Sequence, residues 1–255
     1  MTIVLPVFLG IVIFYLWQSQ ILHKMMGTDT FTLPVPTRIA SLTAANIDDV
    51  MVNVKSTVIV ALLGLIFGSI LGYLVAILAA FFPKMGKGGL SFIGAFASIP
   101  VVALAPVINN WTKGVSSDAE FRSAVAKIIV VMMIAAANMG LNAYRGLTEL
   151  KPYALDLMAT YAASKRTVLW KLRIPNSVPY IFTALKVSVP ASIMTAIVSE
   201  YFAEFIIGVG REIRENIVLA QYQMAWVYIT AACLIGVIAY VILMIAQSIL
   251  LRRYH

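Results

Sequence analysis

The sequence predicts an all-α integral membrane protein with six transmembrane helices. Three observations carry this. Of the 255 residues, 61% are hydrophobic and only 12% are charged, about half the share in ordinary soluble domains. Mean hydropathy is +0.93. Six runs approach or exceed the ~20 apolar residues a helix needs to cross the hydrocarbon core: about 2–19, 57–82, 90–109, 124–143, 177–199 and 226–251. No soluble segment of domain size interrupts them, so the chain reads as a single transmembrane domain, 1–255. The net charge of +8 would point to nucleic acid in a soluble chain. Here the partner is the lipid bilayer, because Lys and Arg collect in the cytoplasmic loops of membrane proteins.

The first run starts at Met1 without a basic leader or a small-residue cleavage site, so it reads as a retained helix rather than a signal peptide. The second carries Gly64, Gly68 and Gly72. Such a small-residue stripe permits close helix approach, either inside the subunit or at a seam between subunits. Pro100 and Pro106 interrupt the third run, which ends on Asn109 and Asn110. Neighbours satisfy the backbone groups freed by proline in spanning helices. The fourth run places Asn138 and Asn142 four residues apart. The fifth, despite Pro190, gathers Ser192, Thr195 and Ser199 on about one face. Polar side chains in a span are costly. These five line a polar pathway or make interhelical hydrogen bonds; both readings stand.

Lys127 and Lys186 lie near span ends and are expected to snorkel, with an anion-attracting role as the alternative for Lys186. Glu200 and Glu204 lie at the outer end of the fifth run and read as solvated charges, or as contacts for an extracellular partner. The sixth run holds the single cysteine, Cys233, so no intrachain disulfide can form. His23 and His255 are isolated and no metal constellation is expected. No nucleophile–base set stands out, so no catalytic residue is expected.

Placing both termini in the cytoplasm puts ten cations inside against Glu149 and Asp156, and seven cations with nine acids outside. The excess falls on the side that the positive-inside bias requires.

The longest inside segment, about 144–176, is where cytoplasmic interactions belong. Pro152 suits a first helical position. Ser164 is a candidate N-cap for a basic helix Lys165–Arg173. Ile174 precedes Pro175, which should stop that helix. Val168, Leu169 and Leu172 make its apolar side and Lys165, Arg166, Lys171 and Arg173 the rest. By composition alone this is an interfacial helix held by anionic headgroups.

The segment also resembles the EAA loop of binding-protein-dependent ABC importer permeases. The aligned positions are Asp156, Leu157 and Met158, then Ala162, then Leu172, Ile174 and Pro175. The spacing fits without a gap. Asp replaces the family's Glu, Leu and Met replace both alanines, and Ala162 replaces its glycine. The last change requires a turn without positive φ, or the strain of one. "LPVPTRI" (33–39), "SIPVVALAPVINNW" (98–111) and "GVG" (208–210) are similar to segments of nitrate-, sulfonate- and taurine-type permeases in the same order. The match runs from about 33 to 251.

The resemblance implies a type I ABC importer permease fold with paired cytoplasmic coupling helices. Asp156, Ala162, Ser164, Lys165, Arg166, Leu169, Lys171 and Pro175 would then couple to a separate ATPase. No G-x-x-x-x-G-K-[ST] occurs in the chain, so it carries no P-loop of its own and is not expected to be an enzyme. ATP and Mg would sit on two partner ATPase subunits. A second permease subunit, identical or a close paralogue, and an extracytoplasmic solute-binding protein would complete a transporter in a bacterial plasma (inner) membrane. The expected solute is nitrate-, sulfonate- or taurine-like, the alternative a thiamine-precursor pyrimidine or riboflavin. A membrane-embedded enzyme would need an acid or histidine cluster within the spans. A channel would not need the paired basic helices.

Overall fold

The computed structural model describes residues 4–203 and 206–250, without the side chains of 83–85 and 87. Glu204 and His255 lie outside the described residues, as do Arg252 and Arg253, two of the ten inside cations; Lys84 and Lys87, two more of them, are described by backbone alone.

Among the described residues the chain is helical without strands. In order, the helices are α1 (Val4–Gln18), α2 (Ile21–Met26), α3 (Pro36–Ala45), α4 (Ile47–Phe81), α5 (Pro83–Phe96) and α6 (Val101–Trp111). They continue with α7 (Ala119–Thr148), α8 (Ala154–Thr160), α9 (Lys165–Val168), α10 (Ile174–Phe202), α11 (Val209–Val218) and α12 (Tyr222–Leu250).

Among the described residues four helical stretches are long and apolar enough to cross a membrane: α4, α7, α12 and the continuous run Lys165–Phe202. The predicted third span is instead a pair, α5 and α6, bent by 98°. Pro100 caps α6 in an extended conformation, because a proline supplies no N–H and drives the residue before it out of the α region. Within the first predicted run the described residues form the 15-residue apolar helix α1. Among the described residues the six predicted runs are thus four spanning helices, one bent pair and the apolar helix α1.

The centre is the α4–α7–α10 trio. A Cβ on Gly64, Gly68 or Gly72 would strike Val131, Met132 and Ala135, or Ala136 on α7. The glycine stripe is thus an internal seam. Its partners rise in number together, so α4 and α7 run parallel, and the α5–α6 pair provides the return between them. α10 runs antiparallel to α7: Gly146 meets Ser177 at one end and Lys127 meets Glu200 at the other. Two indoles tie the outlying helices. Trp17 donates to the Pro34 carbonyl at 3.0 Å and Trp226 to that of Thr32 at 2.9 Å, and the two rings meet edge-on at 5.6 Å.

α4 starts ten residues before the predicted boundary of 57. Asp48 and Asp49 in its first turn suit the positive end of the helix dipole. α7 starts with Asp118 as a true N-cap, accepting from the Glu120 N–H at 2.9 Å.

Candidate functional site

At one end of the bundle, residues 149–173 form a protruding knob. Tyr153 takes a left-handed conformation (φ 61°) and α8 follows it, so the first short helix begins two residues beyond Pro152. Ala162 also has positive φ (50°). The turn that resembles a glycine turn is made with alanine, at a strain of about 1–2 kcal/mol. Ser164 caps α9 as expected, accepting from the Thr167 N–H at 3.2 Å.

The expected stop at Pro175 is corrected. The chain stays helical from Lys165 to Phe202 through a π segment, Leu169–Arg173. Ile174 donates to the carbonyl of Leu169, five residues back. The widened turn shifts the register just before Pro175, which has no N–H of its own to donate.

Asp156, Ser164, Lys165, Arg166 and Lys171 are exposed on the knob, as are Ala162 and Pro175. Tyr153, Tyr161 and Trp170 stand beside them, 82%, 78% and 68% exposed. Leu169 differs: it is buried among Ala76, Ala80, Met139, Ala143, Leu147 and Ala184. It anchors the knob in the bundle.

A polar clamp that sequence reading missed fixes the root of the knob. Arg173 donates to the Leu147 carbonyl at 2.9 Å. Asn176 donates to the carbonyls of Gly146 at 2.7 Å and Glu149 at 3.1 Å. The last carbonyls of a helix have no partner within it, and cations favour that end. The side chains leaving the knob thus satisfy the helix entering it. Gly146 allows the approach, since a Cβ there would lie 2.8 Å from the Ser177 Cα. Nearby, the Tyr73 and Ser177 hydroxyls lie 2.9 Å apart.

The opposite end holds a second cluster. Lys127 and Glu200, expected at water-facing span ends, are 1% and 0% exposed and pair at 3.2 Å. Glu200 also accepts from Thr57 at 2.9 Å and from the Gly210 N–H at 3.0 Å. Lys127 also donates to the Ile207 carbonyl at 2.9 Å. Thr57 accepts from the Val209 N–H at 3.0 Å, and Asn53 from that of Gly208 at 2.9 Å. Gly208 has φ 143°, and a Cβ there would overlap the Glu200 carboxylate. The GVG turn therefore has a packing reason: it lays three consecutive N–H groups onto side chains of α4 and α10.

The pathway candidates separate. Asn138 and Asn142 are half-buried on α7, with the Asn142 amide donating to the Asn138 carbonyl at 2.8 Å. Ser192, Thr195 and Ser199 point into the bundle, at most 5% exposed. Ser199 bonds back to the Ala196 carbonyl at 2.7 Å. Ser192 lines an apolar cleft of about 440 Å³ between α4, α10 and α12. The open stripe of α10 is Thr183, Val187, Pro190, Met194 and Phe202. Among the described residues no hydrogen bond joins the serines to the asparagines. Among the described residues, no three His, Cys, Asp or Glu side chains group to hold a metal ion.

Residues 68–255 match the family of binding-protein-dependent transport system inner membrane components. The chain belongs to this family. Two curated permeases are similar to it. The formylaminopyrimidine transport permease protein ThiX of Halalkalibacterium halodurans is 24% identical over 197 residues, 77% of this chain and 74% of that protein. A probable ABC transporter permease protein of Haemophilus influenzae is 23% identical over 77% of this chain and 76% of its own. A chain of the inward-facing MetNI methionine ABC transporter shares the fold, with TM-score 0.60 and 16% identity over 84% of this chain and 98% of that one. The permease is thus a multi-pass inner-membrane transport component of the type I importer fold. It is not an enzyme; ATP hydrolysis belongs to a separate subunit in this family.

Proposed function

We propose that this permease imports a small solute handed over by an extracytoplasmic binding protein, driven by two ATPase subunits docked on the knob. Its two-subunit pathway alternates between outward and inward opening. The observation that carries this is the exposed basic and aromatic knob, rooted by Arg173, Asn176 and Leu169 in the ends of α7 and α10. A push on a knob held this way moves the helices rather than bending the loop. Nucleotide, with Mg, biases the switch through its preference for closed ATPase subunits. Asp156, Ser164, Lys165, Arg166 and Lys171 form the docking face, with Ala162 and Pro175 shaping it. The cation bias supports a cytoplasmic position for the knob and both termini.

Asn138 and Asn142, with the open stripe of α10, line the pathway against a second permease subunit. Ser192, Thr195 and Ser199 serve packing. The solute is a thiamine-precursor pyrimidine; the name of the Halalkalibacterium permease, similar over 77% of this chain, favours this over a nitrate-, sulfonate- or taurine-like anion.

The test is purification of the transporter with its binding protein, followed by mass spectrometry of the bound solute. A pyrimidine is expected; an oxyanion or sulfonate refutes the solute assignment. In the same preparation, Arg166→Glu with Lys171→Glu should abolish solute-stimulated ATPase while leaving membrane insertion intact. Unchanged stimulation refutes the docking face.

A further inference from the structure

The Lys127–Glu200 pair belongs to neither the knob nor the pathway face. Two charges buried in a membrane protein are costly to keep, and these are embedded in a network that joins separate elements. Glu200 on α10 accepts hydrogen bonds from Lys127 on α7, Thr57 on α4 and the first turn of α11. Lys127 also holds Ile207, and Thr57 also holds Val209. The turn before α11 is thereby bonded to all three central helices.

α7 and α10 are the rods that connect this network to the knob. From Lys127 to Leu147 is about 30 Å and from Ile174 to Glu200 about 39 Å at ~1.5 Å per residue. The Arg173–Asn176 clamp ties the rods at the knob; the ion pair ties them at the far end.

We propose that Lys127 and Glu200 are positioning residues, whose pair locks α11 to the rods so that load from a binding protein seated at that end reaches the knob. This rests on the importer reading. The carboxylate suits the task because it accepts from an ammonium, a hydroxyl and a backbone N–H at once. Gly208 and Gly210 admit it, since a Cβ on either would overlap Glu200 or the Ile197 carbonyl.

The experiment uses the whole transporter in nanodiscs. Lys127→Met with Glu200→Gln removes both charges at similar volume and leaves no ion buried alone. Thr57→Val is the milder second variant, used in its place should the double variant not assemble. ATPase is measured with and without solute-loaded binding protein. In a Cys233→Ser background, spin labels at Val218 on α11 and Phe121 on α7, 73% and 54% exposed, report the distance between α11 and its rod. The expected result is parental basal ATPase, lost stimulation and a broadened distance distribution. Retained stimulation, or an unbroadened distribution, overturns the proposal. Should the parent itself show no stimulation, the importer reading fails, and the distance distribution alone still decides whether the pair locks α11.

Discussion

Cutting the clamp at the root of the knob should free the loop without unfolding the bundle. The perturbation is Arg173→Ala with Asn176→Ala. Together they remove hydrogen bonds to the carbonyls of Leu147, Gly146 and Glu149, at 2.9, 2.7 and 3.1 Å. A bond from a charged donor contributes about 1.5–3 kcal/mol and a neutral one about 0.5–1.5 kcal/mol. Arg173 is half-buried, so its bond belongs at the low end. The bonds share one helix terminus and will not add fully. About 3 kcal/mol is the reasonable total, or about a hundredfold in the local opening constant. Hydrogen exchange in nanodiscs reads this directly, as faster exchange in the last turn of α7 and the first turns of α10. Amides at the glycine seam of α4 should keep their protection, because Leu169 and the core around it are untouched. A change below about threefold at the α7 end would refute the clamp as the root of the knob.

Gly68→Leu should lower the melting temperature sharply, since the added Cβ meets the backbone carbonyl of Met132 and overpacking costs about 1–3 kcal/mol or more; an unchanged melting curve would contradict the seam. Ala162→Gly should raise the melting temperature, because relief of about 1–2 kcal/mol of left-handed strain exceeds the ~0.4–1 kcal/mol that glycine adds to unfolded-chain entropy; Ala162→Val should lower it. Burial pushes the Glu212 carboxyl of α11 above its usual range, opposed by Arg211 and reinforced by Glu215 and Asp49. A raised carboxyl favours the folded form while protonated, so its contribution is full below the ordinary value of about 4.3 and fades as pH rises through the raised one. Glu212→Gln should therefore stabilise at neutral pH and match the parent in acid. Thermal melts across that range check the sign.

The sequence alone determined the class of molecule and most helix positions. Apolar runs of spanning length have few ways to satisfy their backbone except as helices in lipid. It also located the knob, since a basic stretch between two spans cannot lie in the hydrocarbon, and Ser164 announced its own cap. Tertiary structure decided what each polar residue does. Glu200 and Lys127 looked like solvated span ends; only the packing of α4, α7 and α10 removes their water and supplies their partners. Ser192, Thr195 and Ser199 shared a helical face, but which way that face turns depends on neighbours in other helices. The fate of the prolines was also beyond local pattern. Pro100 breaks its helix and Pro175 does not, because a π turn before Pro175 resets the hydrogen-bond register and no such turn forms before Pro100. Helical period fixes which residues point together, and only the assembled bundle fixes what they point at.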